Sequence, residues 1–295
     1  QGAPLDIPDA APVVNDCAPD EAALILFTSG TTGRPKGAVL THLGVATFLF
    51  TLRHAGATYL TIAAKRANMQ VADLMKMIPQ PSTLAVFPFF HVSGASALIL
   101  TQVMNGGKMV FMDRWDAGRA LSLIEAEKIT QVTGPPSIYW DLMAHPDFAN
   151  TDLTSVTNVG IGGQATPPNL LAELRRAFPR AAPGGGFGMT ETNGSISSAT
   201  GEEFMFNPSA SGRLQPGVLV RIVDESGHEL PLGQPGEIQV KSALVTAGYW
   251  NKPDATAAAF RDGWLCTGDV GFVDENRFIT IVDRKKDMVI RAGEN

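Results

Sequence analysis

The chain has 295 residues, 44% hydrophobic and 18% charged, which suits one large or two small globular domains with a sizeable core. A formal net charge of −6 argues against nucleic acid as a general partner. The two cysteines, Cys17 and Cys266, supply neither a disulfide framework nor a metal-ligand pair, so a reducing, cytoplasmic setting is expected.

Residues 1–20 are rich in Pro, Asp and Ala without periodicity and read as loop, with no secretory leader. An apolar strand at 22–27 precedes a polar loop, and a short apolar run at 38–40 follows it. Residues 43–60 carry few charges and predict a buried helix. The stretch 61–81 reads as a variable connection, because it holds Lys65-Arg66, Pro79 and Pro81. A strand at 83–90 ends at His91, and a helix begins near Val92. The apolar stretch 84–104 is broken by Pro88, His91, Ser93, Gly94, Ser96, Thr101 and Gln102, which is poor for a membrane span. A short strand is expected at 108–112. A helix capped by Asp116 follows, running to Lys128 with Leu121, Ile124 and Ile129 on its apolar side. A strand end at Val132-Thr133 leads into a helix start at Pro135-Pro136. Next come a strand at 155–161 and a helix at 168–178 that turns Leu170, Leu171 and Leu174 inward. Arg175 and Arg176 sit at its C-terminal end, where cations suit the helix dipole.

Strands alternating with helices predict an α/β fold with a mostly parallel sheet over residues 1–207. From 208 to 284 the pattern becomes short alternating strands, at 218–223, 237–241, 271–273 and 277–282. Turns at Asp224–Gly227 and Asp274–Asn276 divide them. This predicts a small antiparallel, barrel-like subdomain.

Four phrases carry chemistry. The loop TSGTTGRPKG at 28–37 holds three glycines, four hydroxyls and Lys36. Glycines let backbone N–H groups approach an anion, and the lysine supplies a mobile charge suited to phosphate. A flexible surface loop is the plain alternative. It is not a Walker A loop, because Lys36 is followed by glycine and an apolar run instead of Ser/Thr and a helix. The phrase GGGFGMTET at 184–192 reads either as a simple turn or as a nucleotide cradle. In the second reading Gly186 and Gly188 lie flat against a base and Phe187 stacks on it. Thr190 donates to a phosphate, and Glu191 gives Mg²⁺ a hard oxygen. In WLCTGD at 264–269, Asp269 is either a turn residue or a carboxylate able to accept from two ribose hydroxyls. In PFFHVSG at 88–94, a lone histidine beside aromatics is ordinarily a satisfied core residue.

The order of these phrases resembles the adenylate-forming enzymes: acyl-CoA synthetases, peptide-synthetase adenylation domains and luciferases. The resemblance spans about Leu24 to Asn295. It implies that Thr28, Ser29, Gly30, Thr31, Thr32, Gly33 and Lys36 hold the β- and γ-phosphates of ATP. It implies that Gly163, Gln164, Gly186, Phe187, Gly188, Met189 and Thr190 hold the adenine and α-phosphate. It also implies Mg²⁺ on Glu191 and the ribose on Asp269 and Arg284. Phe187 departs from the tyrosine often found there, and Gln164 from a small residue. His91 is implied to help position a carboxylate, so Lys36, His91, Thr190, Glu191 and Arg284 form the implied catalytic set. The implied reaction is ATP-dependent activation of a fatty or aryl carboxylic acid, then transfer to CoA. The phrases AGYWNKP at 247–253 and DRKKD at 283–287 resemble acyl-CoA ligases most. Loading of a carrier protein, and a non-catalytic nucleotide-binding role, are the alternatives. Residues 285–295 would form a hinge, with Lys286 at its pivot, to a small domain bearing the family's catalytic lysine. A fragment without that domain and without the family's N-terminal segment is expected to bind nucleotide weakly and to complete neither half-reaction well. The oligomeric state is left open, a homodimer included.

Overall fold

Strand–helix alternation between residues 82 and 187 builds five strands of the larger sheet. The computed structural model describes residues 16–28, 34–163 and 166–284, with Pro168 and Arg284 described by backbone alone. The chain opens with β1 (Ala22–Thr28) and β2 (Lys36–Thr41), an antiparallel hairpin in which Thr28 pairs with Lys36. Helix α1 (His42–Arg66) follows, capped by the Thr41 hydroxyl, which accepts from the Gly44 amide. It outruns the expected 43–60, and α2 (Val71–Met77) occupies part of the expected connection.

The seven-stranded sheet begins at β3 (Ser82–Ala85). The strand stops well short of Phe90, because Pro88 has no N–H for a ladder. A π-helix (Ser93–Leu100) runs into α3 (Thr101–Asn105), β4 (Lys108–Phe111) and α4 (Ala117–Ala126). The Asp116 carboxylate accepts from the Arg119 amide at 2.7 Å, so the expected N-cap stands. Then come β5 (Gln131–Gly134), α5 (Pro136–Ala144), β6 (Asn158–Ile161), α6 (Pro168–Ala177) and β7 (Ala182–Phe187). After β8 (Ser197–Thr200) and α7 (Glu202–Phe206), β9 (Arg213–Leu214) completes the sheet. The order is β4-β3-β5-β6-β7-β8-β9, with the first five strands parallel and the last two antiparallel.

The second sheet is antiparallel and has five strands: β10 (Leu219–Val223), β11 (Gly236–Lys241), β12 (Phe260–Arg261), β13 (Trp264–Val273) and β14 (Ile279–Arg284). Helix α8 (Pro253–Ala259) precedes β12. The ten-residue β13 pairs with β11, β12 and β14, and is far longer than the 271–273 expected.

Each sheet has its own core. Leu121, Ile124, Ile129, Leu170, Leu171 and Leu174 lie buried with Tyr139 and Val159 against the large sheet, on the faces the sequence assigns them. Ile222, Ile238, Val240 and Ile279 form the second core, which Phe48 of α1 joins. A third, small core gathers Leu26, Leu40 and Val92. Helix α1 departs from the buried helix expected: Gly44, Phe48, Thr51 and Ala64 are buried, but Phe50 is 68% exposed and Leu43 and Ile62 are open as well. Only one of its faces meets a sheet.

Tyr139 is the buried polar group that joins two parallel strands. Its hydroxyl lies 2.8 Å from the Val132 carbonyl and 2.6 Å from that of Gly160. Burial pushes its phenol pKa above the ordinary value, so it stays a donor. Tyr139→Phe removes that donor, and urea unfolding is expected to report a loss of about 1–2 kcal/mol with an unchanged denaturant slope.

Candidate active site

In an open parallel sheet, ligands collect where strand order reverses, beyond the carboxyl ends of the strands. Here the reversal falls between β3 and β5, since β4 lies on the far side of β3. Just beyond those ends lies a cavity of about 230 Å³, lined by Phe87, Pro88, Phe90, His91, Pro135 and Gly163. These residues follow β3, β5 and β6. The sequence reading named His91 and Gly163 but missed Phe87 and Pro135. Strand order, which only the structure supplies, brings them together.

His91 is exposed and fixed by its own turn. The Ser93 amide donates to Nδ1 at 3.2 Å, and the Ser93 hydroxyl lies 3.1 Å from the same nitrogen. An Nδ1 that accepts leaves Nε2–H as the donor of the neutral ring. The turn is clamped from behind by Gly94, where an added Cβ would run into the Pro88 carbonyl oxygen. Val92, next in the chain, is 2% exposed, packs with the hairpin core, and lies against Gly194.

The C-terminal end of β7 supplies the nucleotide phrase. Gly184–Phe187 is strand and not turn, paired with β6 on one side and β8 on the other. An added Cβ at Gly186 would meet the Ser197 carbonyl oxygen, and one at Gly188 the Gly194 backbone. Close packing inside the protein therefore requires both glycines, whatever lies opposite. Phe187 is half-buried against the second core. The chain then turns through a 3₁₀ segment, Thr190–Thr192, held where the Met189 amide donates to the Thr192 hydroxyl at 3.1 Å. Thr190 and Glu191 are both buried.

Lys36 and Glu191 meet through a residue absent from the expected site. The Tyr249 hydroxyl donates to Glu191 Oε1 at 2.7 Å, and Lys36 Nζ stands 4.3 Å from the centre of the Tyr249 ring. Burial first, then the neighbouring carboxylate, push the Tyr249 phenol pKa above its usual value. Neither Lys36 nor Glu191 lines the His91 cavity, but the Val92–Gly194 contact joins the two segments.

Asp269 is buried on β13, and its register partner on β14 is Arg284, so the two sit side by side across the ladder. The Thr267 hydroxyl accepts from the Asp269 amide at 3.1 Å. Met189 precedes the 3₁₀ turn and Thr28 closes the hairpin. Ser29, Gly30, Thr31, Thr32, Gly33, Gln164 and Lys286 lie outside the described residues.

The family profile for AMP-binding enzymes matches residues 2–250. The chain belongs to that family. This AMP-binding chain is 33% identical over 292 residues to a feruloyl-CoA synthase of an Amycolatopsis species, covering 99% of this chain and 55% of the relative. It is 34% identical over 285 residues to a long-chain-fatty-acid–CoA ligase of Bacillus subtilis, covering 93% and 46%. Among solved structures, the o-succinylbenzoate-CoA synthetase of Bacillus subtilis bound to its acyl-adenylate intermediate matches with TM-score 0.75 and 28% identity. That match covers 94% of this chain and 52% of that one. The same enzyme bound to ATP and magnesium ion matches with TM-score 0.74 and 28% identity, covering 94% and 53%. The AMP-binding chain thus spans about half the length of the curated relatives it matches. Among the described residues, no helix is long and apolar enough to cross a membrane.

Two glycine substitutions separate packing from propensity. An added Cβ at Gly56, exposed on α1, would meet nothing, so Gly56→Ala is expected to stabilise by about 0.5–1 kcal/mol. Gly94→Ala forces the Pro88–His91 turn to move and is expected to destabilise by about 1–3 kcal/mol. Thermal and urea unfolding check both signs.

Proposed function

We propose that the protein activates a fatty or aryl carboxylic acid with MgATP to an acyl-adenylate and passes the acyl group to CoA. The observation that carries this reading is the shared position of its parts. His91, Gly163 and the segment from Phe187 to Glu191 all lie at the carboxyl ends of parallel strands of one sheet, with Lys36 reaching Glu191 across Tyr249. The similarity to CoA ligases and to acyl-adenylate and ATP complexes supports the same chemistry.

A carboxylate is a poor acyl donor, because its leaving group would be oxide. In the proposed first step a carboxylate oxygen attacks the α-phosphorus of ATP, and pyrophosphate departs with the bonding pair. In the second, a thiolate sulfur attacks the acyl carbon and AMP leaves. The protein's work is alignment and charge stabilisation. The loop 28–37 with Lys36 takes the β- and γ-phosphates. Thr190 takes the α-phosphate, Phe187 with Gly163 and Gln164 the base, and Asp269 with Arg284 the ribose. The exposed Nε2–H of His91 orients the acid, whose apolar body enters the cavity between Phe87, Phe90 and Pro135. Glu191 fits Mg²⁺: one buried carboxylate suits an ion that keeps most of its water and takes its other ligands from phosphates. Among the described residues no cluster of three or more His, Cys, Asp or Glu offers an all-protein cage. Bound Mg²⁺ would neutralise charge that builds on the phosphate oxygens. A cytoplasmic setting belongs to the proposal and is supported by a sequence with two cysteines, too few for a disulfide framework.

The test is acid-dependent pyrophosphate release by the polypeptide of the complete open reading frame, with a panel of fatty and aromatic acids, with and without CoA. Release followed by CoA thioester is the expected result. Release without transfer would move the acceptor to a carrier protein, and no release with any acid would sink the enzymatic reading. Lys36→Ala and Glu191→Gln are each expected to lower kcat/KM about 100-fold or more. Asp269→Ala is expected to raise the KM for ATP about tenfold with a smaller effect on kcat.

A further inference from the structure

Tyr249 stands between two opposite charges that both face its side chain. Its hydroxyl donates to Glu191 Oε1 at 2.7 Å, and its ring lies under Lys36 Nζ at 4.3 Å. Among the described residues neither Lys36 nor Glu191 forms an ion pair. A half-buried lysine and a buried glutamate thus touch the same side chain, one at its ring and one at its hydroxyl. The aromatic ring offers the cation a neutral but favourable face, and the phenol gives the carboxylate a neutral donor. Each charge is thus satisfied without cancelling the other.

The tyrosine is itself held on three sides. Its amide donates to the Thr256 hydroxyl at 2.9 Å, and the next amide, Trp250, donates to the Gly37 carbonyl at 2.8 Å. Ala38 and Tyr249 form a single antiparallel bridge, so the segment passes alongside β2 at that point. The ring's place between the hairpin and the Thr190–Thr192 turn is therefore fixed by backbone bonds.

We propose that Tyr249 is a positioning residue, a spacer that keeps Lys36 and Glu191 from pairing, so that one remains open to phosphate and the other to a divalent cation. This rests on the nucleotide reading of Lys36 and Glu191. Tyr249 takes one carboxylate oxygen and leaves Oε2 for the ion. When a triphosphate enters, Lys36 exchanges the ring for phosphate oxygens, a smaller rearrangement than breaking a buried ion pair.

The two halves of the side chain separate by mutation. Tyr249→Phe keeps the ring and loses the hydroxyl, whereas Tyr249→Leu loses both. Calorimetric titration of ATP into the complete protein, repeated across a series of Mg²⁺ concentrations, reads the effect without turnover. For Tyr249→Phe, the Mg²⁺ concentration that half-saturates the enhancement of ATP binding should rise about tenfold, while ATP affinity at saturating Mg²⁺ stays within about twofold of wild type. For Tyr249→Leu, both quantities should worsen by about tenfold or more, as Lys36 collapses onto Glu191. A purely structural tyrosine would instead lower melting temperature and leave the Mg²⁺ midpoint of the folded protein unchanged. An unchanged midpoint in Tyr249→Phe overturns the spacer while wild-type MgATP binding stands. Absence of ATP binding by the wild type overturns both the spacer and the nucleotide reading beneath it. If Tyr249→Leu fails to fold, Tyr249→Phe decides alone.

Discussion

The Thr246 side chain and amide hold three parts of the molecule to one point. Its hydroxyl lies 2.7 Å from the Val39 carbonyl of β2 and 2.9 Å from that of Gly248, and its amide donates to the Glu191 carbonyl at 2.7 Å. Ala247 and Val39 extend the stitch, the first donating to the Val39 carbonyl and the second to that of Gly248. The seam draws together the hairpin whose second strand begins with Lys36, the turn that carries Glu191 and the segment that leads out of β11 of the antiparallel sheet. Backbone bonds are well suited to the task, because they fix relative position without using side chains that a ligand needs.

The larger sheet contributes something different. Parallel strands bury both faces under helices and leave only their ends for chemistry. The phrases at 88–94 and 184–192 lie at the carboxyl ends of parallel strands, where backbone pairing gives way to loops. The sheet sets where these loops begin; Gly94 and Gly188, by excluding a Cβ, set how closely they pack once begun.

Much of this was legible beforehand, and the gaps have causes. Helices with strong amphipathic spacing and a cap, such as the one begun by Asp116, were readable because local chemistry and tertiary burial agree there. The strand Ala182–Phe187 was not, because glycine disfavours strand locally. Only the closeness of Ser197 and Phe204 explains why side chains are excluded there. The exposure of Phe50 was unreadable for the opposite reason: composition states what a residue prefers and not whether a neighbour arrives to cover it. The motif residues Lys36, His91 and Glu191 were named from residue order alone. Tyr249 was passed over because its significance lies in what stands on either side of it in space, and those neighbours are far away in sequence.

The hairpin rests on a very small apolar base. Leu26, Leu40 and Val92 are its buried members, against more than twenty in the core of the large sheet. Its further ties include backbone bonds to the 246–250 segment, the Thr246 hydroxyl on the Val39 carbonyl and the contact of Lys36 with the Tyr249 ring. A corner with so few buried side chains is expected to open at a lower free energy than the large sheet. That corner carries Lys36, so the cation sits on the part of the molecule with the smallest apolar support.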